Sequence, residues 1–137
     1  MVQAVTVRAI LDVAELEAFR PELEEAAAHD FWGLTWDQLV AGVADKRYIA
    51  VIMGLPGAQA ASVWDIGQTR RGKALICRAV GGTGLSIWLR ELIEFAQRLA
   101  EDQGCQELVC YGRPGWEALL NGHGYVKRAV VMTKESW

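Results

Sequence analysis

The chain has 137 residues, a formal net charge of −3 at pH 7 and 52% hydrophobic residues, with six tryptophans. This length fits a single domain over residues 1–137, and the composition excludes an intrinsically disordered chain. The weakly acidic balance excludes a basic surface for nucleic acid, and no apolar run is long enough to predict a membrane span. Because the first residues lack a signal-peptide pattern, we expect a cytoplasmic protein.

The cysteines and histidines are few and lack metal-binding spacing. Cys77, Cys105 and Cys110 contain no CxxC pattern, and their odd number cannot pair completely. Cys105 and Cys110 lie too far apart along one predicted strand to form a disulfide with each other. We therefore expect reduced, intracellular thiols. With His29 and His123 as the only histidines, no zinc site is expected.

The N-terminal part of the chain predicts a strand followed by helices. Apolar and polar residues alternate from Val2 to Ile10, which predicts a first strand. Asp12 and Glu15 have the spacing of a capping box, so we expect a helix to begin at Asp12. Pro21 interrupts this helix and either kinks it or begins a second one.

A second capping box, Thr35-Trp36-Asp37-Gln38, predicts a short helix that ends near Ala44. Phe31 and Trp32 come just before it. Together with Trp36, these rings either hold the helices against a sheet or line a substrate groove, and the sequence leaves both interpretations open.

The middle of the chain predicts a hairpin. Arg47 to Leu55 and Gln59 to Ile66 are strand-like segments on either side of a Pro56-Gly57 turn, which indicates an antiparallel pair. Gly67 to Gly72 is the next predicted turn. Its two arginines, Arg70 and Arg71, either are solvated or lie near a polyphosphate.

The next segment predicts a strand, a glycine turn, a long helix and a second strand. Lys73 to Val80 has the apolar pattern of a strand covered on both faces, and Gln106 to Tyr111 predicts the following strand. Apolar residues repeat every three or four positions from Leu85 until Gly104 ends the helix. The turn before this helix, with Gly81, Gly82 and Gly84, either binds a phosphate on free N–H groups or contains glycine for steric reasons alone.

The last predicted elements are a short helix over Trp116 to Leu120 and a strand from Tyr125 to Lys134. The element order is therefore β-α-α-β-β-β-α-β-α-β. Hairpin-connected strands followed by a crossover helix predict an α+β protein with a mixed, mostly antiparallel sheet flanked by helices.

This order resembles the GNAT family, the Gcn5-related N-acetyltransferases, from Val5 to Lys134. The family's acyl-CoA motif, Gln/Arg-x-x-Gly-x-Gly/Ala, aligns with the run Ala79-Val80-Gly81-Gly82-Thr83-Gly84. Both glycines match, whereas Ala79 replaces the first residue. The resemblance implies acetyl-CoA or another acyl-CoA as cofactor, and a small-molecule or protein amine as acceptor. It implies that the cofactor is bound by Val80, Gly81, Gly82, Thr83, Gly84 and Leu85.

The resemblance is weaker at the catalytic positions. The ending Leu119-Leu120-x-x-x-Gly124-Tyr125 resembles the family's Tyr-x-x-x-Gly-Phe, so Leu120 stands where a tyrosine acid is usual, and leucine cannot donate a proton. The residues that would replace this acid are Tyr111, His123 and Tyr125, each of which also suits a core or loop position. The nearest carboxylate for a general base is Asp65, which would alternatively cap a turn. If active, the protein would be an acetyl-CoA-dependent N-acyltransferase.

A narrower resemblance suggests an alternative. Gly112-Arg113-Pro114-Gly115-Trp116, followed by Glu117, is similar to the Gly-Arg-x-Gly-Trp turn of small GNAT-like proteins of tailed phages and prophages. Their relatives among virion and morphogenesis proteins often have poor catalytic motifs. This implies a non-catalytic structural or assembly protein with a virion partner, in the host cytoplasm or in the virion. An exposed sheet edge would also allow a homodimer.

Overall fold

A computed structural model of the chain describes residues 4–29, 33–111, 114–129 and 132–134. The aromatic residues Phe31 and Trp32 lie outside these ranges, as do Gly112 and Arg113 of the phage-like turn. The ends of the predicted first and last strands lie partly outside them as well. Predictions that rest on those residues therefore stay predictions.

Five strands and five helical segments follow one another along the described chain. In order they are β1 (Thr6–Ala9), a 3-10 helix (Val13–Phe19), α1 (Arg20–Ala28), α2 (Trp36–Ala44), β2 (Ile49–Leu55), β3 (Ala58–Thr69), β4 (Gly72–Gly82), α3 (Leu85–Asp102), β5 (Glu107–Cys110) and α4 (Pro114–Asn121).

The strands form one sheet in the order β1-β2-β3-β4-β5. The first three pairings are antiparallel, and β4 pairs with β5 in parallel. A parallel pair needs a crossover connection, which α3 provides. The predicted α+β class and mixed sheet are therefore confirmed.

The helix starts follow the capping residues only in part. The Asp12 carboxylate accepts a hydrogen bond from the Ala14 N–H at 2.9 Å, but Glu15 pairs with Arg8 at 2.7 Å instead of closing the box. The segment that follows is 3-10, and Pro21 lies in the first turn of α1, where a missing N–H is tolerated. Pro21 thus begins a second helix and does not kink the first.

The capping box before α2 is complete. The Gln38 N–H donates to the Thr35 hydroxyl at 3.2 Å, and the Thr35 N–H donates to the Gln38 side chain at 3.0 Å. The two backbone N–H groups, which have no partner within the helix, are thus both satisfied by side chains, so α2 begins where its sequence predicts.

Hydrophobic clusters cover both faces of the sheet. On one face the buried side chains of α1 and α2, including Leu23 and Leu39, pack against Val63 and neighbouring strand residues. On the other, α3 buries Trp88 and Leu92 against residues of β2, β3 and β4. A sheet between two helical layers explains why β2 to β4 are almost continuously apolar.

Two predicted boundaries and one predicted strand differ from the structure. β3 continues to Thr69, so the turn before β4 is confined to Arg70 and Arg71 and does not span Gly67 to Gly72. β4 extends to Gly82 and absorbs two residues of the predicted glycine turn. The predicted last strand is not formed in its described parts, 125–129 and 132–134, which pair with no strand of the sheet. No helix within the described ranges combines the length and apolarity that crossing a bilayer requires.

Candidate functional site

The parallel pairing of β4 with β5 ends part of the way along β4. Their register runs from Ala74 opposite Glu107 to Cys77 opposite Cys110, where β5 ends while β4 continues to Gly82. At the same level β4 contains a bulge against β3: Val63 pairs with Ala79 and Trp64 with Cys77, so Arg78 is the extra residue. Bulges bend a strand and change the direction of its side chains.

An open cleft with a cavity volume of about 60 Å³ lies where the pairing of the two strands ends. Its walls come from Cys77 to Val80 of β4, Leu108 to Cys110 of β5, Leu92, Ile93 and Ala96 of α3, and Trp116 and Leu120 of α4. Tyr111 and Tyr125 add two phenols to a mostly apolar lining, and His29 and Arg78 add an imidazole and a guanidinium. Such a cleft, apolar with a few polar groups, is typical of a small-molecule site.

The N-terminus of α3 follows four residues after the cleft wall at Val80. Gly84 is its N-cap residue, in a left-handed conformation with φ of 75°, and it makes no side-chain capping hydrogen bond. The first N–H groups of a helix have no partner within the helix and lie at the positive end of its dipole. This helix start is therefore suited to an anion.

Only part of the predicted phosphate-binding turn is available for this purpose. The Thr83 N–H already donates to the Gln59 carbonyl at 3.0 Å, because Thr83 continues the pairing of β4 with β3. The N–H groups of Gly84, Leu85 and Ser86 belong to the cap and first turn of α3. Val80 lines the cleft instead of the turn.

Gly81 and Gly82 lie in β4, and packing accounts for both. A Cβ atom on Gly81 would lie 2.7 Å from the Glu22 carbonyl carbon in α1. On Gly82 it would lie 2.3 Å from the Gln59 carbonyl oxygen in β3. These distances are shorter than any ordinary contact with Cβ. Packing therefore explains why these two positions are glycine, and cofactor binding by Gly81 and Gly82 stays a prediction.

The predicted catalytic candidates fall into two groups. Tyr111 and Tyr125 line the cleft, together with Leu120, which stands at the position of the usual acid. His123 is exposed after the end of α4 and is not part of the lining. Asp65 lies within β3, where it pairs with Arg78 at 3.7 Å, and it neither ends its strand nor caps a turn.

The sequence does not predict that two thiols meet at the fork, the place where the pairing of β4 with β5 ends. Cys77 and Cys110 are paired across β4 and β5, and both line the cleft. A hydrogen bond from Cys77 holds the pKa of Cys110 below its ordinary value of 9.0, although burial acts in the opposite direction. The register of β4 against β5 decides that Cys77 lies opposite Cys110. Because the two residues are far apart in the chain, no local sequence pattern indicates this pairing.

Tyr125 is a further titratable group of the cleft, near the two thiols. Burial, together with the charges of the nearby Cys110 and Cys77, raises its pKa from 10.0 to about 12. The phenol therefore stays protonated throughout the physiological range, as a hydrogen-bond donor must.

The raised pKa of Tyr125 predicts a pH dependence of stability. The folded state favours the neutral phenol, so this contribution is present below pH 10 and is lost as the pH rises toward about 12. The free energy of unfolding should therefore decrease as the pH rises above 10. We expect Tyr125→Phe to remove the part of this decrease that is due to the phenol. Urea unfolding of both proteins at several pH values measures it; equal slopes above pH 10 would contradict a raised pKa.

Within the described ranges, no group of three His, Cys, Asp or Glu side chains is close enough to hold a metal ion. Among the described residues, the polar side chains that line the cleft are the thiols of Cys77 and Cys110, the phenols of Tyr111 and Tyr125, the imidazole of His29 and the guanidinium of Arg78.

Several solved structures have the same backbone arrangement. A GCN5-related N-acetyltransferase from Ralstonia eutropha matches with a TM-score of 0.71 at 15% identity, over 96% of this chain and 98% of that one. The aminoglycoside antibiotic 6'-N-acetyltransferase AAC(6')-IG from Acinetobacter haemolyticus matches with a TM-score of 0.67 at 15% identity, over 96% and 99%. Glucosamine-6-phosphate N-acetyltransferase from Arabidopsis thaliana matches with a TM-score of 0.58 at 11% identity, over 96% and 98%.

No protein-family model and no curated protein matches the sequence. The structural matches nevertheless extend over nearly the whole of this chain and of each neighbour. Identities this low establish a shared fold and leave the activity to the residues of the cleft. The chain has the fold of the GCN5-related N-acetyltransferases.

Proposed function

We propose that this protein binds an acyl-CoA in the cleft between β4 and β5 and transfers the acyl group to an amine. One observation carries the proposal. β4 and β5 separate beyond Cys77 and Cys110, and β4 leads from the cleft wall to the uncapped N-terminus of α3. An extended apolar cleft beside an anion-binding helix start suits a thioester on a long chain that ends in phosphates.

Successive parts of the acyl-CoA would bind at successive places, from the N-terminus of α3 back along β4. The N–H groups from Gly84 to Ser86, at the positive end of α3, would bind the pyrophosphate. The cleft wall from Cys77 to Val80 would hold the pantetheine chain and place the thioester near the bulge. Tyr125 or Tyr111 would donate a hydrogen bond to the departing thiolate, and because a thiolate leaves readily this donor need not be a strong acid.

Ser86→Asp is the variant that tests the phosphate site. Ser86 is exposed in the first turn of α3, where a carboxylate favours the helix by about 0.3–1 kcal/mol. The same charge would repel a pyrophosphate, so we expect Kd for acetyl-CoA to rise at least about tenfold while the unliganded protein melts no lower. Thermal melts over a series of acetyl-CoA concentrations measure both quantities.

Two control variants are needed. One tests whether the shape of the new side chain matters, and the other tests whether an added negative charge matters wherever it lies. Ser86→Asn has the shape of the aspartate without its charge, so its affinity should stay near that of the wild type. Gln97→Glu adds the same charge at an exposed position of α3, remote from its N-terminus. If Ser86→Asp bound acetyl-CoA as tightly as these controls, or if the wild type showed no saturable shift at millimolar ligand, the proposal would fail.

A second candidate is a GNAT-fold protein that does not catalyse transfer and serves as an interaction or assembly component, with a virion protein as one class of partner. The observation that favours it is the chemistry of the lining: none of the described residues around the cleft is Asp or Glu, and Leu120 replaces the usual acid. A protein that binds acetyl-CoA but acetylates no amine in a broad screen would support this candidate.

A further inference from the structure

Two thiols face each other at the point where the sheet opens. Cys77 and Cys110 form the last pair of the β4–β5 ladder, and directly opposed residues of neighbouring strands project to the same face. Both are reduced cysteines, half-buried and part of the cleft wall. The third cysteine, Cys105, packs against the core beneath α3 and does not line the cleft.

The surroundings of Cys110 favour its reactive form. A thiolate, and not a thiol, is the nucleophile of cysteine chemistry. The hydrogen bond from Cys77 stabilises that thiolate and lowers the pKa of Cys110. Tyr125 lies close enough for the charge of either thiolate to raise its own pKa, which keeps the phenol protonated beside them. The three groups therefore combine a nucleophile, a donor that stabilises it and a second donor.

We propose that Cys110 accepts the acyl group from the bound thioester and becomes S-acylated in the cleft. This inference rests on the proposed function, because it needs the thioester to lie near the fork. Nucleophilic cysteines of this kind act by forming a covalent intermediate that a second acceptor then resolves.

The step balances without an oxidant or reductant. The Sγ atom of Cys110 attacks the thioester carbonyl carbon, so a new carbon–sulfur bond forms. The bond from that carbon to the CoA sulfur breaks, and its electron pair leaves on the CoA sulfur. The proton that Cys110 gives up ends on that sulfur, so one thioester and one thiol are exchanged for another thioester and another thiol.

Cys77 is a positioning residue in this scheme. It donates to the Cys110 sulfur and is not itself acylated. Tyr125 provides a hydrogen bond for the departing thiolate. When Cys110 is acylated its charge is lost, which removes one of the causes that raise the pKa of Tyr125 and makes the phenol a better donor.

The experiment is to incubate the protein with acetyl-CoA and to locate acetyl groups by intact-mass measurement and peptide mapping. We expect one acetyl group on Cys110 of the wild type, removed by neutral hydroxylamine as a thioester is. Cys105→Ala is the matched control and should be labelled at the wild-type rate. Cys110→Ser should lose the label.

A pH profile distinguishes a positioning role for Cys77 from a structural one. The labelling rate follows the thiolate fraction of Cys110, so we expect Cys77→Ala to label several-fold more slowly at neutral pH and to reach half its maximal rate at a higher pH. An unchanged profile for Cys77→Ala, with label still on Cys110, would overturn the role of Cys77.

Failure of this inference can be separated from failure of the proposed function. If acetyl-CoA raises the melting temperature saturably but Cys110 stays unlabelled, or is labelled no faster than Cys105, the acyl-acceptor role is overturned and acyl-CoA binding stands. If acetyl-CoA gives no shift, S-acetyl-N-acetylcysteamine, a thioester without phosphates, tests the cysteine directly. Selective labelling of Cys110 by this probe supports the acceptor role, and equal or absent labelling overturns it.

Discussion

Trp88→Ala is expected to lower the free energy of unfolding by about 3–5 kcal/mol, the usual loss for a large aromatic residue in a core. Trp88 is only 2% exposed, and it anchors α3 to the sheet within the cluster that also contains Trp64 and Leu92. Its indole N–H donates to the Thr83 carbonyl at 2.6 Å, which ties the first turn of α3 to the end of β4. The substitution therefore leaves a cavity and an unsatisfied acceptor at the same place.

Urea unfolding measures this loss of stability. Two further variants show how much of it comes from the hydrogen bond and how much depends on the burial of the ring. Trp88→Phe keeps most of the ring and loses the hydrogen bond, so its loss should be well below that of Trp88→Ala. Trp116→Ala should also cost less, because Trp116 is half-buried in the cleft wall and leaves no closed cavity. A loss below about 1 kcal/mol for Trp88→Ala would contradict the packing of α3 on this face.

Gly82→Val is expected to destabilise the fold by about 3 kcal/mol, at the upper end of the usual range for overpacking. The new Cβ would lie 2.3 Å from the Gln59 carbonyl oxygen and 2.5 Å from the Ala60 Cα. Both are backbone atoms of β3, which cannot turn aside as a flexible side chain can. The strands must therefore separate locally, and ladder hydrogen bonds weaken with them.

The control for Gly82→Val is Gly115→Ala in α4, where a Cβ meets no atom within 4 Å. Because alanine favours a helix over glycine, this variant should be neutral or stabilising by up to about 1 kcal/mol. Chemical denaturation of the pair compares a crowded glycine with an open one. A melting temperature of Gly82→Val equal to that of the wild type would show that β3 and β4 tolerate the added volume.

Local chemistry allowed much of the fold to be predicted. The box of Thr35 and Gln38 satisfies its own hydrogen bonds, so it defines a helix start whatever surrounds it. The Pro56-Gly57 turn between apolar runs gives the β2–β3 hairpin, and Gly57 has the positive φ, 84°, that such a turn uses. The three-and-four spacing of α3 indicates the face that packs on the sheet.

The errors arise where distant neighbours decide the local structure. Gly81 and Gly82 resemble a turn in sequence, but the backbone of α1 and of β3 approaches them so closely that only glycine fits in the strand. The segment after Gly124 has strand-like composition, yet a strand forms only with a partner, and its described residues have none. Tyr125 instead faces the cleft.

The candidate site was predicted in outline and not in detail. The glycine before Leu85 indicates the uncapped start of α3. Of the three residues that the sequence offers in place of the missing acid, Tyr111 and Tyr125 line the cleft and His123 does not. Cys77 lies opposite Cys110 because of the register of β4 against β5 and the length of the crossover between them. Neighbouring residues in the sequence do not determine either of these.

The short β4–β5 ladder has a consequence for local unfolding. β3 pairs with β2 from Ala58 to Trp64 and with β4 from Ala60 to Thr69, whereas β5 is joined to the described sheet by four residue pairs with β4 alone. Regions with few ladder hydrogen bonds open at a lower free energy than the centre of a sheet. β5 can therefore detach while β2, β3 and β4 stay folded, and such an opening would widen the cleft from its closed end without unfolding the domain.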